Sequence, residues 1–470
     1  MSTRSYYTKL LLESALTEEN PFISTQQVEE WLTERNKAVC VSIEKIRFHE
    51  MQNWKLTNDS LSHESGKFFS IDGIKVNTNY GFNSEWEQPI INQPEIGYLG
   101  IITKEINGIL YFLMQAKIEP GNINTVQLSP TLQATKSNYT QVHKGKRPLY
   151  IEIFEQGTDC SIILDQIQSE QGARFLKKRN RNIIIKYEGA LSQYDGFIWL
   201  TLGQIKKLIQ KDNLVNMDTR TVISGISFDN EESVFLKGFA HKIAGEFKKG
   251  MYYSAIDKIQ ALNSFDDILA WFTKLKCKYD LTITKTAIHN LKDWRINEWE
   301  IIHKDNKYFK VIAAKVHIDN REVSSWCQPL IQPAQEGLIA FIVKKINGVF
   351  HFLVQAKVES GNFDILEMAP TVQCITGNYR ETPSNKLPYL DYVLSAKPGQ
   401  IKFDTLQSEE GGRFFHEQNR NLLIEADDNF NMDLPENYTW LTLNQLITFL
   451  KFNNYLNIQS RSLIAAISFI

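Results

Sequence analysis

Most of the 470-residue chain aligns with itself at an offset near 240, and a repeat of that length constrains the fold more than any local pattern does. Trp31 pairs with Trp271, His49 with His289, Trp54 with Trp294, Trp86 with Trp326 and Gln88-Pro89 with Gln328-Pro329. The register continues through Asn107-Gly108 and Asn347-Gly348, Gln115-Ala116-Lys117 and Gln355-Ala356-Lys357, Pro130-Thr131 and Pro370-Thr371, and Asn138-Tyr139 and Asn378-Tyr379. It slips to 239 where Gln168-Ser169-Glu170 meets Gln407-Ser408-Glu409, and to 241 where Trp199 meets Trp440 and Arg220 meets Arg461. Such small changes belong in surface loops. The units run from 26 to 228 and from 266 to 470, with a leading helix in 1–25 and a helical connector over 229–265. About 200 residues can bury a core of their own, so each unit reads as a domain, and two like modules are expected to pack pseudosymmetrically.

Within a unit, both periodicities occur. A helical pattern surrounds Trp31 and Trp271. The runs ILYFLMQAKI (109–118) and VFHFLVQAKV (349–358) are β-branched and aromatic, and each follows an Asn-Gly dipeptide. With Leu99–Ile106 and Leu338–Ile346 in front, each predicts a hairpin through a tight turn. Further strands are predicted at Asn182–Lys186 and Asn421–Glu425. Thr201 with Gln204, and Thr442 with Gln445, have capping-box spacing ahead of an apolar helical face, so a helix closes each unit. The fold class is therefore α/β (α+β), with strands and helices mixed in each module.

Composition narrows the functions available. With 54 acidic and 52 basic residues the net charge is -2, so no global field favours nucleic acid or an anionic membrane, and any anion must be caught locally. The five cysteines are scattered and never form C-x-x-C, against a disulfide framework or a zinc site. No run approaches the roughly 18 apolar residues of a spanning helix, and the N-terminus lacks a signal-peptide core, so a cytoplasmic location is expected. No G-x-G-x-x-G after a strand, no Walker A loop and no H-E-x-x-H is present, which disfavours nicotinamide, ATP and zinc; no cofactor is expected.

Three repeated constellations carry chemistry-bearing groups. In Gln115-Ala116-Lys117-x-Glu119-x-Gly121-Asn122 and Gln355-Ala356-Lys357-x-Glu359-x-Gly361-Asn362, strand alternation puts Gln115, Lys117 and Glu119, or Gln355, Lys357 and Glu359, on one face. An ammonium and a carboxylate would then share a pocket wall; a solvated strand end with a surface ion pair has the same signature. In Gln168-Ser169-Glu170-Gln171-Gly172-Ala173-Arg174 and Gln407-Ser408-Glu409-Glu410-Gly411-Gly412-Arg413, glycine admits close backbone approach and the arginine fork suits a diphosphate. A helix start with an internal salt bridge is the competing reading. Arg181 and Arg420, within Asn180-Arg181-Asn182 and Asn419-Arg420-Asn421, precede apolar strands where pocket walls form. Thr131, Gln133, Asn138 and Tyr139, with Thr371, Gln373, Asn378 and Tyr379, offer the neutral groups that read sugar hydroxyls and a nucleobase, or a helix cap and a packed tyrosine. His49 and His289 are read as structural, since a repeated lone histidine seldom acts alone.

The strings QAKIEPGNINTVQLSPTLQATKSNY, QAKVESGNFDILEMAPTVQCITGNY and QSEEGGRFFHEQNRN resemble the NDP-hexose 2,3-dehydratase family, and the resemblance covers nearly the whole chain. It implies two tandem Nudix-like α/β/α sandwich modules with mixed sheets, a homodimer, and the substrate dTDP-4-keto-6-deoxy-D-glucose. The C2 hydroxyl is lost to give a 3,4-diketo-2,6-dideoxy sugar, which passes to an NADPH-dependent 3-ketoreductase. The Nudix box, whose glutamates hold metals for diphosphate hydrolysis, is absent from both copies.

Such chemistry needs a base at C3, a cation for the oxyanion and an acid at C2. Glu359 or Glu409 is the expected base and Lys357 the oxyanion or leaving-group partner, with Glu119, Glu170 and Lys117 as first-copy equivalents. Arg413 and Arg420, or Arg174 and Arg181, are expected on the diphosphate. Trp86, Trp326, Asn180, Asn419 and Arg147 complete the expected binding set. The second copy keeps Glu410, Gly412 and His416 where the first has Gln171, Ala173 and Lys177, which favours the second pocket, whereas Lys146 and Arg147 enrich only the first in cations. The alternatives are a Nudix-type nucleotide-sugar pyrophosphatase and a non-catalytic nucleotide-sugar-binding protein.

Overall fold

The computed structural model describes residues 3–140, 147–228, 236–319, 323–374 and 387–469. Its architecture is two seven-stranded and two five-stranded sheets, arranged as two repeats of one α+β plan. In each repeat the Asn-Gly hairpin forms the middle of the large sheet: Gly97–Ile106 pairs antiparallel with Ile109–Ile118, and Gly337–Ile346 with Val349–Lys357. Asn107 and Asn347 both take φ of 52°, and the glycines after them 78° and 86°. Those left-handed angles are what a two-residue hairpin turn requires of its central pair. The strands Arg179–Tyr187 and Gln418–Glu425 join in parallel, so the large sheets are mixed.

Each large sheet is covered on both faces. On one side lie the helices Thr3–Ala15, Leu202–Ile209 and Met217–Ser224, with the Leu110, Phe112 and Met114 side chains beneath them. On the other, the short helix Ile151–Gln156 packs Ile151 and Phe154 against Ile102, Leu113 and Ile183. The capping boxes at Thr201 and Thr442 form as their spacing predicts: each threonine hydroxyl accepts the N–H three residues on, and the glutamine there accepts the threonine N–H. A second helix then follows in each repeat, Met217–Ser224 and Ile458–Ala466, where the sequence pattern suggested one closing helix.

The helix Glu246–Ile256 stands in the second repeat where Thr3–Ala15 stands in the first. Ser14 donates to the Leu110 carbonyl at 2.6 Å and accepts from the Leu202 N–H, while Ser254 does the same with Phe350 and Leu443. The structural equivalence thus extends upstream of the aligned sequences. No helix among the described residues is long and apolar enough to cross a membrane.

The five-stranded sheets join the repeats by exchange. Val41–Ile46 of the first repeat pairs antiparallel with Phe309–Ile318 of the second. Leu281–Thr286 of the second pairs in the same way with Ser70–Thr78 of the first. Each exchanged strand pairs along one side with the other copy and so covers an edge of that copy's sheet, of which it becomes the terminal strand. A continuous apolar cluster, from Phe112 and Leu202 to Phe352, Leu443 and Phe469, runs through both repeats. At the junction Phe175 and Phe414 meet edge to face, 5.8 Å between centroids.

Candidate active sites

Each of the two sites is built from both repeats, because one short segment crosses between them. After the strands Cys160–Ser169 and Ile401–Ser408, the chain turns and its next residues enter the opposite copy. Gly121 N–H donates to the Gly411 carbonyl at 2.7 Å, and Gly361 N–H donates to the Gly172 carbonyl at 2.6 Å. The approach is so close that a Cβ on Gly121 would fall onto the Phe414 carbonyl, and one on Gly361 onto that of Phe175. Glycine is needed at both positions for lack of space.

The first site gathers Lys117, Glu119, Gln133, Glu170, Asn180 and Asp218 from the first copy with Glu410 and Arg413 from the second. Gln133 Nε2 donates to Glu119 Oε1 at 2.7 Å, and Asn216 Nδ2 donates to Gln133 Oε1 at 3.2 Å. Asn216 is itself fixed as the N-cap of Met217–Ser224, accepting the Thr219 N–H. The relay orients both amides and keeps Glu119 an acceptor. Asn180 donates to Glu170 Oε1 at 2.5 Å and accepts the Gly97 N–H. Lys117 donates to the Gln133 carbonyl. Burial, and the like charge of Glu119, push the Glu410 carboxyl up to about 8. The same causes raise Asp218 and Glu170.

The second site repeats the plan with different groups: Lys357, Glu359, Gln373, Glu409 and Asn419 face Gln171 and Arg174. Gln373 donates to Glu359 Oε1 at 2.8 Å, Asn457 donates to Gln373 Oε1 at 2.6 Å, and Asn419 donates to Glu409 Oε1 at 2.6 Å. Where the first site has Asp218, Lys178 and Glu410, the second has Gln459, Glu417 and Gln171. Burial raises Glu359, and burial with the neighbouring Glu417 raises Glu409 to about 8. Glu417 itself rises to about 7.

The two arginines are held alike. Arg174 stacks on the Phe309 ring at 4.2 Å and Arg413 on Phe69 at 4.1 Å, contacts that fix a guanidinium plane without consuming its donors. Arg174 Nε and Nη2, and Arg413 Nε, are buried and find no hydrogen-bond partner among the described residues. The same holds for Glu119 Oε2, Asp218 Oδ1, both side-chain polar atoms of Gln171 and Gln459, and both Glu417 oxygens. Buried polar atoms left unpaired are costly, and their convergence on these two places marks sites lined for a polar ligand.

The expected residues divide into three groups. Lys117, Glu119, Gln133, Glu170 and Asn180 come together, as do Lys357, Glu359, Gln373, Glu409 and Asn419. The arginine of each site comes from the opposite copy, Arg413 in the first and Arg174 in the second, and Glu410 belongs with Glu119 rather than with Glu359. Others stand behind the sites. Trp86 donates to Gln88, which donates to the Ala173 carbonyl, and Trp326 acts through Gln328 on the Gly412 carbonyl, so these tryptophans brace the arginine-bearing turns. Thr131 and Thr371 are spent on backbone groups, and Gln355 on the Pro370 and Thr371 carbonyls; Gln115 is half-buried.

Away from both clusters, Arg181 pairs with Asp165 and Arg420 with Asp404, each at 2.6 Å and partly exposed, and Arg147 pairs with Glu155. Tyr139 packs edge-on to Tyr98. The Asn138 side chain, Lys146, Asn378 and Tyr379 lie outside the described residues.

Four positions that sequence reasoning did not single out complete the machinery. Asn216 and Asn457 orient the glutamines. Arg220 reaches across to the Gln407 side chain and the Ser408 carbonyl, and Arg461 to the Ser169 carbonyl and, at 2.7 Å, Thr221. In the Gln-Ser-Glu motif the glutamine and serine are thereby structural: Gln168 donates to the Leu450 carbonyl and Gln407 to that of Ile209. Only the glutamate faces a site. The alignment of Arg220 with Arg461 was the available signal.

Comparison with known proteins shows the family of the chain. The family profile described as NDP-hexose 2,3-dehydratase matches residues 25–226 and again 265–467. The chain belongs to the NDP-hexose 2,3-dehydratase family. Three proteins named dTDP-4-dehydro-6-deoxy-alpha-D-glucopyranose 2,3-dehydratase are similar to it over nearly their full length. The one from Saccharopolyspora spinosa is 42% identical, over 98% of this chain and 94% of its own. That from Streptomyces violaceoruber is 40% identical, over 93% and 95%, and that from Amycolatopsis orientalis 38%, over 98% and 94%. For an NDP-hexose 2,3-dehydratase, the profile boundaries are informative: they fall beside Thr25–Lys37 and Phe265–Lys278, one repeat per match.

Proposed function

We propose that the chain removes the C2 hydroxyl of dTDP-4-dehydro-6-deoxyglucose, giving a dTDP-3,4-diketo-2,6-dideoxyhexose for deoxysugar biosynthesis. The observation that carries this reading is the ammonium–carboxylate pair of the Gln-Ala-Lys-x-Glu segment, set against a buried arginine with unspent donors inside a chain matched end to end by 2,3-dehydratases. The C4 ketone acidifies the C3 proton. A carboxylate of the Glu119 or Glu359 kind takes that proton, and the lysine two residues earlier stabilises the charge that develops on the C4 oxygen. The stacked arginine supplies bidentate donors to the diphosphate. Expulsion of hydroxide from C2 as water leaves an enol that tautomerises to the diketone, with no net redox change.

This reading includes a homodimer in the cytoplasm. It also includes hand-off to an NADPH-dependent 3-ketoreductase, since a vicinal diketone is reactive and gains from immediate reduction. The test uses substrate deuterated at C3, with product trapped by a 3-ketoreductase and NADPH and read by mass spectrometry. Loss of the label together with loss of one water is expected. Retained label with no diketone refutes the proposal, and release of dTMP would make the protein a pyrophosphatase instead.

A further inference from the structure

We propose that Glu410, carried by the second copy, is the general acid that protonates the departing C2 hydroxyl in the first-copy site, opposite Glu119 as base. The assignment rests on the dehydratase reading above and adds to it a named acid from the other repeat. Three observations carry it.

The first is position. Glu410 Oε1 accepts the Gly412 N–H at 3.1 Å. The point where a Cβ on Gly412 would lie is 2.2 Å from that oxygen and 3.3 Å from Glu119 Oε1. The two carboxyl oxygens therefore lie within about 5.5 Å of each other beside Gly412, where a larger residue would strike Glu410. Base and acid on adjacent carbons of one sugar need this spacing.

The second is protonation. Glu119, Glu170, Asp218, Lys117 and Arg413 face Glu410, and three of the five are acidic. Burial, with the negative charge of Glu119 and Glu170, pushes the Glu410 carboxyl up to about 8 against the opposing pull of Arg413 and Lys117, while the Gln133 amide, held by Asn216, donates to Glu119. A carboxyl held protonated near neutral pH is suited to the role of general acid.

The third is unspent capacity. Asp218 Oδ1, 3% exposed with its residue, and Glu119 Oε2 are buried without a hydrogen-bond partner among the described residues, so the site is lined by groups turned towards a polar ligand. Glu410 itself keeps an accessible edge.

The step balances. Glu119 takes the C3 proton and the electron pair moves into the C3–C4 enolate. That pair then forms the C2–C3 double bond as the C2–O bond breaks, and the leaving oxygen takes the Glu410 proton and departs as water. The enol at C3 returns its hydroxyl proton as C2 is protonated, and the proton held by Glu119 restores the Glu410 acid.

Glu410→Gln tests this, because glutamine already occupies the corresponding turn at position 171, so the variant has a native precedent for folding. In D2O with dTDP-4-dehydro-6-deoxyglucose, the variant is expected to dehydrate about 100-fold or more slowly. It still places deuterium at C3 of the unconverted sugar, and its residual rate lacks the wild-type fall above pH 8. Dehydration at the wild-type rate overturns the assignment. So does loss of C3 exchange together with dehydration in a variant that still binds dTDP, since Glu410 would then not act after proton abstraction. Failure of both reactions in the wild-type protein overturns the dehydratase reading, and this assignment with it.

Discussion

Replacing Gly121 with alanine should separate the two copies at the first site without touching a charged group. Gly121 lies two residues beyond Glu119, donates to the Gly411 carbonyl at 2.7 Å and accepts the His416 N–H at 2.8 Å. The added methyl would fall onto the Phe414 carbonyl oxygen, 2.6 Å from its carbon and 2.8 Å from the Gly411 oxygen. All three are backbone atoms, so no rotamer change relieves the clash, and the crossing segment must move away. Overpacking and the loss of two inter-copy hydrogen bonds together cost about 2 to 6 kcal/mol, a large part of a folded protein's net stability. Urea unfolding, followed through the fluorescence of the nine tryptophans, measures the cost. Turnover reports the retreat of Glu410 and Arg413 from Glu119. Gly399→Ala is the control: no atom lies within 4 Å of its Cβ position and its backbone is not left-handed, so it should be neutral or stabilising by about 0.4–1 kcal/mol. A Gly121→Ala protein within about 1 kcal/mol of the control would refute the close apposition of the copies.

Two further outcomes follow from the buried ionisable groups. Glu410 has its carboxyl raised in the folded state, so the folded protein binds more protons than the unfolded chain between the ordinary value of 4.5 and about 8; its contribution to stability is therefore largest at low pH and is lost as pH rises through that window. Relative to wild type, Glu410→Gln should gain stability steadily from pH 5 to about pH 8, and a difference that stays flat by thermal melting would show that the carboxyl ionises normally. Lys206 has the opposite sign. Buried beside Ile223, Phe228 and Phe469, with its ammonium donating to the Ala465 and Ile467 carbonyls at 3.1 and 2.6 Å, it is lowered by burial to about 7. Its charge thus opposes folding most at and below pH 7, and Lys206→Met, which approaches the Ile447 of the second repeat, should lose relative stability as pH is raised from 7 towards 10.5. A pH-independent difference would mean that the lysine is solvated.

The duplication, the Asn-Gly hairpins and the capping boxes at Thr201 and Thr442 were set by the sequence alone, because each depends on contacts within a few residues or on self-comparison; Lys117 and Lys357 stand on their strands, but Glu119 and Glu359 lie just past the strand ends, so alternation does not place them. The chemistry class was legible through the family resemblance that the repeated Gln-Ala-Lys and Gln-Ser-Glu strings carry, rather than through local geometry. What local pattern could not decide is the partner across the junction. A strand edge such as Val41–Ile46 carries the same donors and acceptors whichever copy it joins, and only burial of the shared core selects the exchange with Phe309–Ile318. Likewise Glu170 and Arg174 stand four positions apart in one motif, yet the turn between them sends the carboxylate to one site and the guanidinium to the other. Tertiary packing made that division, because the volumes that accept Arg174 and Glu410 exist only after two folded repeats have closed on each other.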